Sequence, residues 1–345
     1  MHKYVIMLGL GHNRVYYDAS ELMAEAELKL ALNNCNIDYN NIKIEQIGGV
    51  DYITFFTSIT LTATHLEILS RLSFLYAIFK VQDQNLLLPQ EKIAFEYFDS
   101  KITSLLKYSG KTNEIFTKLM INVAVLTRGY KKNERLSLLD PVAGKGTTLY
   151  QGLVNGYNVC GIEIMSKFVK ETNLFIKKFL TKEKIKHNSR TQKLYKDKHN
   201  NTANVTYYEC ARSKEEYTNS PLRIQIICGD TTISNKYLKK DSFDIIVGDL
   251  PYGIGHGSHT DNTQKSLTRN PTELLHKSLD SWHNLMKKDA VMVLAWNTYL
   301  VPRIKMLELL QSHNFVPKTG NIYDQFEHRV DNSILRDIIV ATKKP

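Results

Sequence analysis

The chain has 345 residues, 43% hydrophobic and 23% charged, with a net charge of +10. That length suits two domains, and that balance can bury a sizeable core. No apolar run approaches the roughly 18–20 residues that cross a bilayer, and Cys35, Cys160, Cys210 and Cys228 are scattered without C-x-x-C spacing, which argues against a membrane span, a disulfide framework or a zinc site and for a reduced, cytoplasmic protein.

Taken in chain order, Tyr4–Gly9 reads as a first strand, its apolar run too short for a signal peptide and without a cleavage site. Ala19–Leu32 has helical spacing with Ser20 as N-cap. Ile42–Ile47 and Asp51–Phe56 are strands parted by the Gly48-Gly49 turn, Ala63–Leu72 is a second helix, and Ala77–Val81 a last strand. These elements make a small α/β domain over residues 1–105. Leu86–Glu91, with Pro89, reads as a connector, and helices are expected at Ile93–Lys107 and Lys118–Thr127. From there strands and helices alternate: strand Leu136–Leu139, helix Thr147–Asn155, strand Tyr157–Ile162, helix Ser166–Leu180, strands Ile224–Cys228 and Phe243–Val247, helix Thr272–Met286, strand Ala290–Ala295 and helix Pro302–His313. Lys318–Glu327 and Arg336–Lys343 can form an antiparallel edge hairpin. This is the βαβ rhythm of a doubly wound sheet over 106–345, interrupted by a polar insertion at about 181–222. Lys177–Lys198 holds nine basic residues against Glu183 and Asp197. The segment is either a solvated, partly disordered insertion or an arm that contacts nucleic-acid phosphates.

In an open parallel sheet, ligands bind at the carboxyl ends of the strands near the switch point. Asp140-Pro141-Val142-Ala143-Gly144-Lys145-Gly146-Thr147 stands there after the first strand of the second domain, and Gly144 and Gly146 permit a tight turn close to a ligand. Glu163 ends the next strand, where a carboxylate can accept ribose hydroxyls. Leu149 replaces the third glycine of a dinucleotide fingerprint, and Gly146 after Lys145 breaks a P-loop. A phosphate-free cationic nucleoside, S-adenosylmethionine, suits Asp140 better, with Asp230 placed to reach an adenine amino group.

Asp249-Leu250-Pro251-Tyr252 closes the apolar strand Phe243–Gly248. The lone pair of an aromatic exocyclic amine is delocalised into its ring. The Asp249 carboxylate and the Leu250 carbonyl can accept its two N–H bonds and direct that lone pair, Pro251 stiffens the loop, and Tyr252 offers a face for a stacked base, worth about 1–3 kcal/mol. No metal is needed. Gly253–His259 reads as a mobile loop at the acceptor pocket; His256 and His259 read as surface histidines, and His328 and Arg329 face the same rim.

These residues resemble the amino-methyltransferase motif (D/N/S)-P-P-(Y/F/W) and, more closely, the THUMP-associated tRNA guanine-N2 methyltransferases. The matching stretches are Gly110–Asn122, Asp140–Thr148, Gly161–Ile164, Gly229-Asp230 and Asp249–Gly257, with a weaker match at Tyr4–Gly9 and Glu21–Leu28. The resemblance implies a Rossmann-like class I S-adenosylmethionine-dependent methyltransferase, with a seven-stranded, mostly parallel sheet and an N-terminal ferredoxin-like, THUMP-related domain. It implies a cofactor site of Thr112, Asn113, Phe116, Asp140, Val142, Gly144, Gly146, Thr147, Thr148, Glu163, Ile164, Asp230 and Thr231, and catalysis by Asp249, Leu250, Pro251 and Tyr252. The expected reaction is methyl transfer to N2 of guanosine in tRNA, with RNA held by the N-terminal domain and Lys177–Lys198; the alternative is a DNA adenine-N6 or cytosine-N4 methyltransferase. Leu250 stands where the motif has its first proline, a position of which only the carbonyl is used. Lys145 stands where the family often has a small residue.

Overall fold

The structure is a computed structural model that describes residues 1–9, 14–83, 86–108, 110–198, 202–252, 271–320 and 322–344, with side chains of 14–20 excepted. The first unit runs β1 (His2–Leu8), α1 (Arg14–Asn34), β2 (Tyr39–Ile47), β3 (Val50–Thr57), α2 (Ala63–Leu69) and β4 (Leu75–Val81). Its antiparallel sheet has the order β2-β3-β1-β4, the ferredoxin-like arrangement, and β5 (Leu87–Pro89) extends the β4 edge. The expected connector is thus partly an edge strand, where Pro89 at its end is tolerated because an edge needs no further donor. Helix α1 begins at Arg14, ahead of the Ser20 cap expected from sequence.

The chain then forms α3 (Lys101–Leu105), α4 (Glu114–Arg128), β6 (Ser137–Asp140), α5 (Thr147–Val154), β7 (Asn158–Glu163) and α6 (Ser166–Lys182). The helix expected over Ile93–Lys107 survives only as α3. Residues 93–99 are held instead by tertiary bonds that compete with a helical ladder: Ile93 N–H donates to Ser70 Oγ at 2.9 Å and Tyr97 N–H to Val154 O at 2.7 Å. Next come β8 (Lys186–Lys196), β9 (Thr202–Ala211), α7 (Lys214–Asn219), β10 (Leu222–Cys228), β11 (Phe243–Asp249), α8 (Pro271–Leu285), β12 (Met286–Asn297), α9 (Arg303–Ser312), β13 (Phe315–Pro317), β14 (His328–Arg329) and β15 (Leu335–Lys343). The seven strands β13-β15-β12-β11-β6-β7-β10 form the expected array, parallel from β12 to β10 and antiparallel at β15 and β13.

The basic insertion is ordered where described: β8 and β9 form a hairpin that continues the sheet beyond β10, and β9 buries side chains on both faces, Ala203 and Val205 in one apolar cluster and Tyr208 and Cys210 in the other. The terminal pairing differs from the hairpin expected from sequence. The expected arm Lys318–Glu327 is not a strand: Phe315–Pro317 before it and His328–Arg329 after it pair antiparallel with β15, while Arg303 secures the segment between them through Tyr323 O and Asp324. No described helix is long and apolar enough to cross a membrane.

One apolar cluster runs from Ile6 and Phe55 of the first sheet through Met23, Leu28 and Leu32 of α1 to Met120, Ile121 and Val123 of α4, and on beneath the large sheet. Within this seam Glu27 is fully buried. Its carboxylate accepts from Ser73 N–H and hydroxyl, and from Asn122 Nδ2 at 2.6 Å. Burial nevertheless pushes its pKa up to about 7, against those bonds and the nearby Lys118 ammonium. The folded state keeps this proton up to about pH 7, whereas an unfolded glutamate with an ordinary value of 4.5 has released it. The stabilisation is therefore full below about pH 4.5 and declines as pH rises through about 7, by about 3 kcal/mol in all. Glu27→Gln is expected to remove this decline, so that denaturant midpoints of wild type and variant diverge between those pH values; parallel profiles would contradict the account.

Candidate active site

Four adjacent parallel strands, in the order β11-β6-β7-β10, deliver acids to one edge of the sheet. Asp249, Asp140 and Glu163 end β11, β6 and β7, and Asp230 lies two residues beyond β10. The parallel register sets Asp140 against Gly161 and Cys228 against Glu163, so the strand ends are nearly level.

Asp140 is buried and accepts from Val142 N–H at 3.0 Å and from the Thr148 hydroxyl. Burial drives its pKa up to about 7, and the Asp249 and Glu163 carboxylates add to the rise. The loop after it is tied down by Ala143 N–H to Ile162 O at 2.9 Å and by Gly144 N–H to Glu163 Oε2 at 3.0 Å. The other oxygen of Glu163 accepts from Met165 N–H at 2.6 Å. Gly146 adopts φ 88° to start α5, and a Cβ at Gly144 would meet open space. Lys145 leaves this space to others: its Nζ pairs with Glu171 at 2.7 Å and lies 4.7 Å from the Tyr108 ring centroid. Thr147 is buried with its hydroxyl 3.1 Å from that of Tyr108.

Asp230 Oδ1 accepts from both the N–H and hydroxyl of Thr232, capping a short 3-10 turn. Thr231 is buried and accepts from Trp282 Nε1 at 2.9 Å, so it anchors α8. Ile164 is half exposed beside Glu163. Asn113 caps α4 through Ile115 and Phe116 N–H groups, and Phe116 is wholly buried, its ring 5.0 Å from that of His328.

Thr112 reaches across to the acceptor motif: its hydroxyl donates to Asp249 Oδ2 at 2.7 Å. The Tyr252 hydroxyl donates to Asp249 Oδ1, so both carboxylate oxygens are engaged. Leu250 is buried, its N–H donating to Ala295 O at 2.9 Å, and Pro251 is exposed. Burial raises the Tyr252 phenol well above its ordinary value. Gly253–His259, and with them His256 and His259, lie outside the described residues.

Arg336 was not singled out from sequence. Its guanidinium is buried between the Phe116 and Tyr252 rings, 4.6 and 5.0 Å from their centroids. The signal available was a pair of charges, Arg336-Asp337, inside the otherwise apolar last strand. His328 is buried, its Nδ1 2.9 Å from Phe326 O, and burial lowers its pKa to about 4.

A buried Asp140, its proton affinity raised by burial and further by the Asp249 and Glu163 carboxylates, stands beside an open glycine loop, a setting that suits a cationic, hydroxyl-bearing ligand and repels a phosphate. The family model described as RMKL-like methyltransferase domain (UPF0020) matches residues 119–303, more than half of the chain. No curated protein matches by sequence. Among solved structures, TrmN from Thermus thermophilus is similar with 11% identity and TM-score 0.41, over 88% of this chain and 59% of that one. A protein described as an RNA methyltransferase from Pyrococcus horikoshii gives 14%, 0.38, 71% and 96% in the same order. A TehB-like SAM-dependent methyltransferase from Corynebacterium glutamicum gives 14%, 0.33, 61% and 82%.

Close packing beneath the loop can be tested by itself. A Cβ at Gly161 would stand 2.6 Å from Leu149 Cδ1 and 2.9 Å from Ala143 Cβ. Gly161→Ala is expected to cost about 1–3 kcal/mol through overpacking, and to lower the melting temperature by several degrees. An unchanged melting temperature would show that the loop is not braced there.

Proposed function

The chain belongs to the RMKL-like methyltransferase domain family, and we propose that it transfers a methyl group from S-adenosylmethionine to the exocyclic N2 amino group of guanosine in tRNA. The observation that carries this reading is the Asp249 carboxylate, poised at a strand end between Thr112 and Tyr252 and level with Asp140 and Glu163. When bound, S-adenosylmethionine supplies an electrophilic methyl group on a positively charged sulfur. Asp140 would hold a cationic group of this donor, Glu163 its hydroxyls, and Asp230 an amino group.

Asp249 and the Leu250 carbonyl accept the two N–H bonds of the acceptor amine and turn its lone pair out of conjugation. For this the Tyr252 hydroxyl must leave Asp249 Oδ1, which frees the phenol ring to stack on the base. The proton displaced from nitrogen passes to Asp249 and then to water. Orientation and a fixed charge supply the rate gain.

RNA as the acceptor is supported by the basic segment, which extends the sheet as the β8–β9 hairpin and carries exposed Arg190 and Lys193. The ferredoxin-like N-terminal unit packs through α1 on α4, the helix that begins beside Thr112, and in this reading it holds the RNA against the site. Four free cysteines fit a reducing cytoplasm.

The test is transfer from labelled S-adenosylmethionine to total tRNA, ribosomal RNA and DNA, followed by nucleoside identification. N2-methylguanosine in tRNA is expected; label in DNA alone would overturn the reading. Asp249→Ala should lower the rate about 10²–10³-fold while leaving donor binding within a few-fold. Donor affinity should weaken as pH falls below about 7, where Asp140 gains its proton, and Asp140→Asn should flatten that profile; a flat wild-type profile would remove the role given to Asp140.

A further inference from the structure

Beside Asp249 lies a cavity of about 290 Å³ lined by Lys111, Thr112, Asn113, Glu114, Arg329, Val330 and Arg336. Three of these residues are cations, and the one carboxylate, Glu114, is bridged to Lys111. Arg336 has no ion-pair partner among the described residues, although its side chain is only 6% exposed. Its Nε has no hydrogen-bond partner among the described residues, and its side chain hydrogen-bonds that of Tyr252. A buried guanidinium without a counter-charge is costly unless an anion completes it. Arg329, on the rim, spends Nε on Asp331 O and one terminal nitrogen on Asn332 Oδ1 at 2.8 Å. Thr112 belongs to both places, lining the cavity and donating to Asp249.

We propose that Arg336, with Arg329 and Thr112, forms a phosphate site that binds the backbone phosphate of the nucleotide whose base sits at Asp249. This rests on the nucleic-acid acceptor proposed above. A base and its own phosphate are separated by one ribose, and the cavity is separated from Asp249 by one side chain. A guanidinium matches a phosphate bidentately, and its flat faces are already occupied by Phe116 and Tyr252, which leaves its edge for the anion. Phosphate binding at Arg336 would also fix the cation against which Tyr252 packs, so acceptor recognition and the position of Tyr252 are linked through one side chain.

The test is steady-state methylation of transcribed tRNA by wild type, Arg336→Met and Arg329→Met over a range of salt concentrations, with inorganic phosphate as competitor. Arg336→Met should raise KM about tenfold, as expected for loss of a charge-assisted contact, with a smaller change in kcat. The slope of log KM against log salt should fall by about 0.7–0.9, one phosphate contact. Arg329→Met, a change at an exposed position, should lower the slope similarly with folding unaffected. Inorganic phosphate should compete with tRNA in wild type and less so in Arg336→Met. Competition by free phosphate with unaltered salt slopes in both variants would overturn the backbone assignment, and unchanged KM in both would overturn the site. If wild type methylates no nucleic acid at all, the acceptor class itself fails, a result separate from either variant's behaviour.

Discussion

The site depends on one carboxylate held in place from both sides. Asp249 ends a buried strand, yet its oxygens are engaged by Thr112, at the entrance to α4, and by Tyr252, three residues on in its own loop. The first contact couples the acceptor motif to the helix on which the N-terminal unit packs. The second occupies the other oxygen, the place that an acceptor amine takes in the function proposed above.

Around that carboxylate, the fold concentrates unfavourable charge where a cation is to bind. Burial raises the proton affinity of Asp140 and Glu163, and the neighbouring carboxylates raise that of Asp140 further, a cost that a positively charged ligand reverses. The glycine loop between Asp140 and α5 keeps side chains out of the space above them, and the close contacts of Gly161 with Leu149 and Ala143 fix its height. Opposite in sign, the cavity at Arg336 collects cations beside the same carboxylate. The acidic strand ends and the cationic cavity thus meet at Asp249, in the proposed reading the one for the donor and the other for the acceptor.

Much of this was legible in sequence because strand ends in a parallel sheet carry their own punctuation. Asp140, Glu163 and Asp249 each follow an apolar run, and the shared direction of parallel strands puts their carboxyl ends on one edge of the sheet. What escaped depended on tertiary contacts. Residues 93–99 have helical spacing but are claimed by Ser70 and Val154. Polar composition at Lys182–Ser220 concealed an edge hairpin whose inner strand, β9, buries residues on both faces of the sheet. Arg336 lies in a strand some 84 residues after Tyr252, counted along the sequence, and only the sheet's reversal at β15 brings the two together. Thr112 was expected at the cofactor; its bond to Asp249 is a contact across 137 positions that no local pattern encodes.

The most direct measurement is a crystal structure of the enzyme with S-adenosylhomocysteine and an acceptor oligonucleotide. The account predicts the exocyclic amine within hydrogen-bond distance of Asp249 and the Leu250 carbonyl, with the Tyr252 hydroxyl displaced from Oδ1 and its ring against the base. A bound acceptor that leaves the Tyr252–Asp249 bond intact, with its amine elsewhere, would contradict it.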